Sequence, residues 1–388
     1  MNIKDNRLKE RKVNFSNCIL NRNKVWFVST EGYFMNIDVD TKKTSYIKLK
    51  NLNSWKKHPV TDNMFADRGN IYWVDQFGKY IHEYDIDQNE YYEYQLPPVE
   101  MIEWQCYAGI YLYNEKLFLF PRIGLTRIEF DLHEKKYVVY PWNCSDEDFK
   151  VNKKEDIQLW CSVQSNNWLY LFERNRNKAI RMNFENLSYE YIDIPHELSN
   201  IQHIVFKNNV FYILSVTGNL YIWDGCSKQV EEVYDCNDKE LSFARIAITE
   251  HKVFLLPDLS EKIWIIDLEN HEIKVQDQYP ADLEYNESGW SKYFGYTEDK
   301  QYMWFANRTA NYVLRINKYT EIIEWIKVVP PKIEDEWKVH LETGRMIFTE
   351  EQNYLRLFIS LENSKTEKGK NKESLGECIW NTIKMIEK

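Results

Sequence analysis

Glycine and proline are scarce in this chain, 12 and 10 among 388 residues, and the scarcity excludes whole classes of function. There is neither a GxGxxG nor a Walker loop, so the backbone cradles that hold dinucleotides and nucleoside phosphates are missing. GxSxG is missing too, and with it the strained elbow that presents a catalytic serine. Seven cysteines, Cys18, Cys106, Cys144, Cys161, Cys226, Cys236 and Cys378, are odd in number, widely spaced and never in CxxC. A disulfide framework needs pairs in an oxidising compartment, so a reduced chain is expected. The eight histidines form no HxH or HExxH, and Ser145-Asp146-Glu147-Asp148 lacks the DxDxDG spacing of a calcium loop. Neither a metal nor a cofactor is expected.

Long apolar runs are lacking as well. No stretch approaches the ~18 apolar residues of a membrane span, and the opening MNIKDNRLKERK has no apolar signal core. A cytoplasmic chain with no membrane partner is the expectation. The formal charge is -10, and no cluster of Lys or Arg alternates with exposed aromatics. Phosphate contacts need concentrated positive charge, so nucleic acid is not an expected partner. The heavy use of Asn, Lys, Ile and Tyr fits an AT-rich, bacterial genome.

What the chain has instead is aromatic side chains, 27 Tyr and 14 Trp among them, arranged in a repeat. Residues 250–280 state it plainly. The apolar run Val253 to Leu256 meets Pro257-Asp258; a second run, Ile263 to Ile266, ends in Asp267 and a polar turn; a third alternating run starts at Ile273. These are three short strands in meander. The position after the second run recurs as Asp38, Asp85, Asp131, Asn183, Asp224, Asp267 and Asn317, about 46 residues apart. Each of these short side chains is expected to close an Asx-turn by accepting a backbone N–H. The preceding strand recurs too, as in Ile71-Tyr72-Trp73-Val74 and Met303-Trp304-Phe305, β-branched and aromatic throughout. Helical repeats of this length would carry apolar residues at i, i+3, i+4 rather than in runs of four.

Over residues 13–349 the chain resembles the β-propeller superfamily in general. Trp223-Asp224 is similar to the WD dipeptide of WD40 repeats, and the period suits WD40 and kelch proteins, but the paired glycines of kelch and the Gly-His of WD40 are missing. The fold expected is all-β: a propeller of seven four-stranded blades, or eight if residues 355–361 form a strand. Pro97-Pro98 and Pro330-Pro331 stop strands. The domain then covers 1–349, and 350–388 is expected to be a helical tail on or beside it, because Tyr354, Leu357, Phe358 and Leu361 share one helical face. A fragment at 337–348 is expected to fasten the ring to the first blade or lie across a face.

Propeller ligands meet residues where the chain leads into the innermost strand of each blade. Those positions carry Trp55, Glu103-Trp104-Gln105, Gln158 with Trp160, Gln202-His203, Phe243 with Arg245, Trp290 with Lys292, and Trp337 with His340. Aromatics beside amide and guanidinium donors suit a sugar, a peptide or an anion. The ligand-binding set expected is Trp55, Trp104, Gln105, Trp160, Gln202, Arg245, Trp290, Lys292 and Trp337. A non-enzymatic module that offers its channel mouth to a protein, peptide or glycan is the first reading. A lyase, epimerase or hydrolase is the second, with His203 or His340 transferring protons, Glu103 assisting, and Arg245 and Lys292 holding negative charge. A homo-oligomer assembled through exposed aromatics is the third.

Overall fold

In a computed structural model the described residues are 15–329 apart from 30–33, 48–60, 76–77, 101–105, 124–125, 142–157, 175–176, 199, 228, 236–242, 259–261, 277 and 284–291. The expected helical tail, the fragment at 337–348 and the alternative strand at 355–361 lie outside them.

The described strands form seven separate four-stranded antiparallel sheets, each built from four strands consecutive in sequence. They occupy residues 15–47, 61–95, 107–141, 159–193, 201–234, 243–275 and 293–327, the seven blades that the repeat predicts. The second strand of each blade is its apolar centre. Asn70–Asp75, Lys116–Pro121, Trp168–Glu173, Val210–Ser215, Lys252–Pro257 and Tyr302–Asn307 all read half-buried then buried throughout. A strand flanked by sheet neighbours on both sides and by other blades on both faces has no solvent-facing side, so alternation gives way to a continuous run. The fourth strand is different: Lys136–Pro141 is exposed at every residue.

The turn residues behave as their chemistry dictates. Asp131 accepts the N–H groups of His133 and Glu134 at 2.9 Å, Asp224 those of Cys226 and Ser227 at 2.8 and 2.7 Å, and Asp267 those of Glu269 and Asn270 at 3.0 and 3.2 Å. Asn317 does the same for Tyr319 and Thr320, and Asp38 receives Thr41. These donors stabilise the carboxylate form, which lowers the pKa values of Asp38, Asp131, Asp224 and Asp267.

Neighbouring blades join through apolar side chains. At the closing seam, Phe15, Val25, Phe27, Met35 and Ile37 of blade one share a cluster with Trp304, Ala306, Val313 and Val328 of blade seven. Each large side chain buried there contributes roughly 1.5–3 kcal/mol. Polar contacts cross the same seam: Leu20 N–H donates to Thr297 Oγ1 at 2.9 Å, Lys42 Nζ reaches Glu324 at 2.9 Å, and the Tyr46 hydroxyl donates to the Val329 carbonyl. Among the described residues no strand is exchanged between the first and last blades; side-chain packing and these polar contacts join them. Between blades two and three Val74 and Ile81 share an apolar cluster with Ile110, Leu117 and Ile128, and a polar network adjoins it. Buried Glu83 accepts from Asn70, Tyr72, Tyr94 and Lys135 at 2.6–2.9 Å, so both oxygens are satisfied, as a buried carboxylate requires.

Two glycines hold the innermost strands close. A Cβ at Gly295 would lie 2.5 Å from the Asn17 Cα of blade one, and one at Gly109 would overlap the Ser162 Oγ of blade four. Gly295→Ala is expected to cost roughly 1–3 kcal/mol in urea unfolding, because backbone must move. Gly109→Ala should cost less, since the Ser162 hydroxyl can rotate away; equal losses would remove the steric account. The depressed aspartates make a second prediction. Their stabilisation is present above the unfolded carboxylate pKa of about 4 and is lost as pH falls through their folded values. Combining Asp38→Asn, Asp131→Asn, Asp224→Asn and Asp267→Asn should keep the turns, as Asn183 and Asn317 already do, and flatten the acid limb of stability. An unchanged limb in acid titration by circular dichroism would refute this.

Candidate functional site at the channel mouth

The first strands of the blades face one another around the axis, and each contains a β-bulge at the same place. Pairing with the second strand breaks between Phe15 and Asn17, Thr61 and Asn63, Leu159 and Cys161, Ile201 and His203, and Phe243 and Arg245, and likewise in blades three and seven. A bulge inserts a residue and re-aims the side chains beyond it. The residues immediately after it are Asn17, Asn63, Gly109, Cys161, His203 and Arg245, and all six border the central channel.

The channel holds two connected cavities. The mouth is about 290 Å³ and is bordered by Asn63, Arg122, Trp160, Gln202, His203 and Arg245, among others. The second cavity is about 560 Å³ and shares Asn63, Tyr111, Ser162, His203 and Arg245 with it, continuing along the first strands to Lys207 and to the exposed Tyr296 and Glu298. Both volumes are of the order of small-molecule sites. Charge differs between them. Among the described residues, those bordering the mouth include Arg122 and Arg245 and no carboxylate, whereas the second cavity adds Lys207, which donates to the Ile248 carbonyl, and Glu298, which pairs with Lys318.

Trp160, the bulged residue of blade four, is flanked by Arg122 at 4.3 Å and Arg174 at 4.1 Å from its ring centroid. Two planar cations cannot stack at about 4 Å over one face, so they take opposite faces of the indole. The ring therefore holds two guanidiniums in place and offers no open face. Both arginines stand directly after the second strand of their blades, and Arg308 has the same place in blade seven. Their N–H groups donate to Cys106, Gln158 and Lys292 carbonyls at 2.9, 2.9 and 2.8 Å, an equivalent bond in three blades. Arg122 Nε also donates to the Tyr107 carbonyl at 3.3 Å, which fixes its stem in the buried wall.

His203 is held differently. Its Nδ1 accepts the Ile246 N–H at 3.2 Å, so in the neutral ring the proton sits on Nε2. Protein surrounds the ring although it keeps partial exposure to the channel. Burial first, then the Arg245 guanidinium, pushes its pKa well below the usual histidine value. Burial likewise pushes the Cys161 thiol up to about 12, so this channel cysteine is a thiol rather than a nucleophile. Tyr111 donates to Ser162 Oγ at 2.7 Å and Ser162 donates to the Ala108 carbonyl at 2.8 Å, a chain that stiffens the wall. Among the described residues, the Asn63 and Gln202 side chains and His203 Nε2 have no hydrogen-bond partner within the protein, and all three residues border the mouth.

Of the residues singled out from the sequence, the structure brings Trp160, Gln202, His203 and Arg245 together at the mouth. Lys292 is buried at the lead-in to blade seven and is not among the residues bordering the two cavities. Trp55, Glu103, Trp104, Gln105, Trp290, Trp337 and His340 lie outside the described residues. Sequence reasoning missed Asn63, Arg122 and Arg174. A signal for the arginines was there: Pro121-Arg122, Glu173-Arg174 and Asn307-Arg308 each place an arginine after the same strand. No group of three or more His, Cys, Asp or Glu suited to a metal occurs among the described residues.

The histidine assignment is checkable by NMR. His203 is expected to show the Nε2–H tautomer and to stay neutral as the pH falls through the ordinary histidine value. A folded pKa below the unfolded value of about 6.5 means its stabilisation is complete above that pH and lost below it, by up to about 1.4 kcal/mol per pH unit. His203→Gln should remove that slope, and a ring that titrates normally would refute the assignment.

No family model and no curated protein matches the chain. Among solved structures it is similar to a streptogramin B lyase structure, with a TM-score of 0.56 and 12% identity over 82% of this chain and 95% of that one. It is similar to a catalytically inactive virginiamycin B lyase from Staphylococcus aureus with quinupristin, at TM-score 0.55 and 15% identity over 82% and 96%. The β-propeller domain of Cps50 (Swd1) from Myceliophteria thermophila gives 0.54 and 9% over 82% and 98%. At these identities the likeness is one of fold, and the chain is a seven-bladed β-propeller.

Proposed function

We propose that this protein is a binding propeller whose channel mouth receives an anionic group, a carboxylate or phosphate, carried by a peptide, glycan or small-molecule partner. One observation carries the reading: among the described residues the mouth is bordered by Arg122 and Arg245 and by no carboxylate, in a chain whose formal charge is -10. In an acidic protein, a cleft of the opposite sign with low-dielectric walls focuses the field and concentrates anions. Guanidinium is the group suited to hold them, through paired N–H donors that match the two oxygens of a carboxylate or phosphate. Trp160 and the Tyr107 carbonyl fix Arg122 before any ligand arrives, which lowers the ordering cost of binding.

The lyases among the similar structures raise a catalytic reading, and His203 is its natural proton carrier. Its arrangement weighs against that role. Nδ1 is engaged by a backbone amide and Nε2 carries the proton, so the neutral ring is a hydrogen-bond donor towards the channel and not a base. Binding without turnover accounts for the same residues.

Calorimetry at fixed ionic strength tests the reading with acetate, citrate and inorganic phosphate against neutral amides of similar size. Arg122→Gln and Arg245→Gln should each weaken anion binding by roughly 10- to 100-fold, the range of a charge-assisted hydrogen bond. Binding should also weaken as salt rises. Equal affinity for neutral analogues, or unaltered affinity in both variants, would overturn it.

A further inference from the structure

The polar groups around the arginines narrow the ligand's chemistry, and this step rests on the anion reading above. We infer that the ligand is a polyhydroxylated anion: a carboxylate or phosphate attached to a hydroxyl-bearing carbon chain. Three features converge on it. First, Asn63, Gln202 and His203 border the same cavity as Arg122 and Arg245 and present side-chain donors and acceptors that no described protein group uses. Half-buried polar groups without partners cost free energy unless water or a ligand serves them. A carboxamide both donates and accepts, and so does a hydroxyl; an Asn or Gln therefore matches a hydroxyl in either orientation. His203 adds a fixed donor at Nε2, because its other nitrogen is held by Ile246.

Second, the aromatic rings that border the mouth among the described residues are each engaged by the protein. Trp160 is flanked by two guanidiniums, Tyr107 is buried and donates its hydroxyl to the Gly78 carbonyl at 3.2 Å, and Tyr111 packs against Phe120 and Phe184. A flat apolar acid would gain little from them, and its desolvation of Asn63 and Gln202 would go unrepaid. Third, polar groups continue along the channel. Asn63, Ser162 and His203 border both the mouth and the second cavity, so a chain anchored by its anionic end at the arginines meets hydrogen-bonding groups beyond them.

Calorimetry on the full chain separates this inference from the one beneath it. The probes are gluconate and glucose 6-phosphate, their deoxygenated counterparts hexanoate and hexyl phosphate, and neutral glucitol. Gluconate or glucose 6-phosphate is expected to bind at least tenfold more tightly than its counterpart, and the stronger of the two identifies the head group. Asn63→Ala and Gln202→Ala should each cut that preference about three- to tenfold, the range of one neutral hydrogen bond. Asn63→Asp, nearly isosteric, is a second variant that should repel both anions. Equal binding of hydroxylated and deoxygenated anions would overturn the hydroxyl inference and leave the anion reading standing. Glucitol binding as tightly as gluconate, or no binding by any probe, would overturn both.

Discussion

The ring stands on one seam. Among the described residues blade seven meets blade one without exchanging a strand, and Phe15, Phe27 and Met35 pack there against Trp304, Val313 and Val328. An open propeller would leave a sheet edge and an apolar blade face in water. Closure also demands that the innermost strands approach closely, and Gly295 permits this where any side chain would meet the Asn17 backbone. The channel's width, and therefore the distance between residues of opposite blades, follows from that approach. Asn17 is itself a channel residue, so the contact that closes the ring also positions part of the site.

The seven bulges link fold to site. A strand paired on one side only, at the centre of a ring, must twist sharply, and an inserted residue relieves the pairing at the point where the chain turns inward. The residue after the bulge differs from blade to blade: asparagine in blades one and two, glycine in three, cysteine in four, histidine in five, arginine in six. One backbone solution lets the blades bring different residues to one volume. That is how a repeat can be uniform in architecture and singular in chemistry.

Electrostatics separates the mouth from the rest of the surface. Acidic side chains are spread over turns such as those at Asp131 and Asp267, where backbone N–H groups hold them. Cationic groups instead gather at one end of the channel, two of them ordered by a single indole. Like charges held that near each other in a partly desolvated wall are tolerable where the aromatic quadrupole offsets part of their repulsion.

The repeat was legible from residues alone because its causes are local. Runs such as Leu117 to Phe120 can only be strands covered on both faces, and an Asp at a fixed offset can only close a turn; both depend on neighbours in sequence. Seven blades and their limits followed from that. Trp160, Gln202, His203 and Arg245 could be placed near the mouth because each begins a blade. Their partners could not. Arg122 belongs to the blade before Trp160, and Ile246 to the blade after His203, so the cation stack and the histidine tautomer are set by contacts between blades. The bulges were equally hidden, since a one-residue slip in pairing leaves the apolar pattern intact while changing which side chain enters the channel. The sequence by itself determined the strand pattern and the turns, and brought the blade count to seven or eight, because short-range sterics and hydrogen bonding decide them. Only the tertiary structure decided which side chains share the channel and in what protonation state, because that depends on ring closure and on the burial that closure creates.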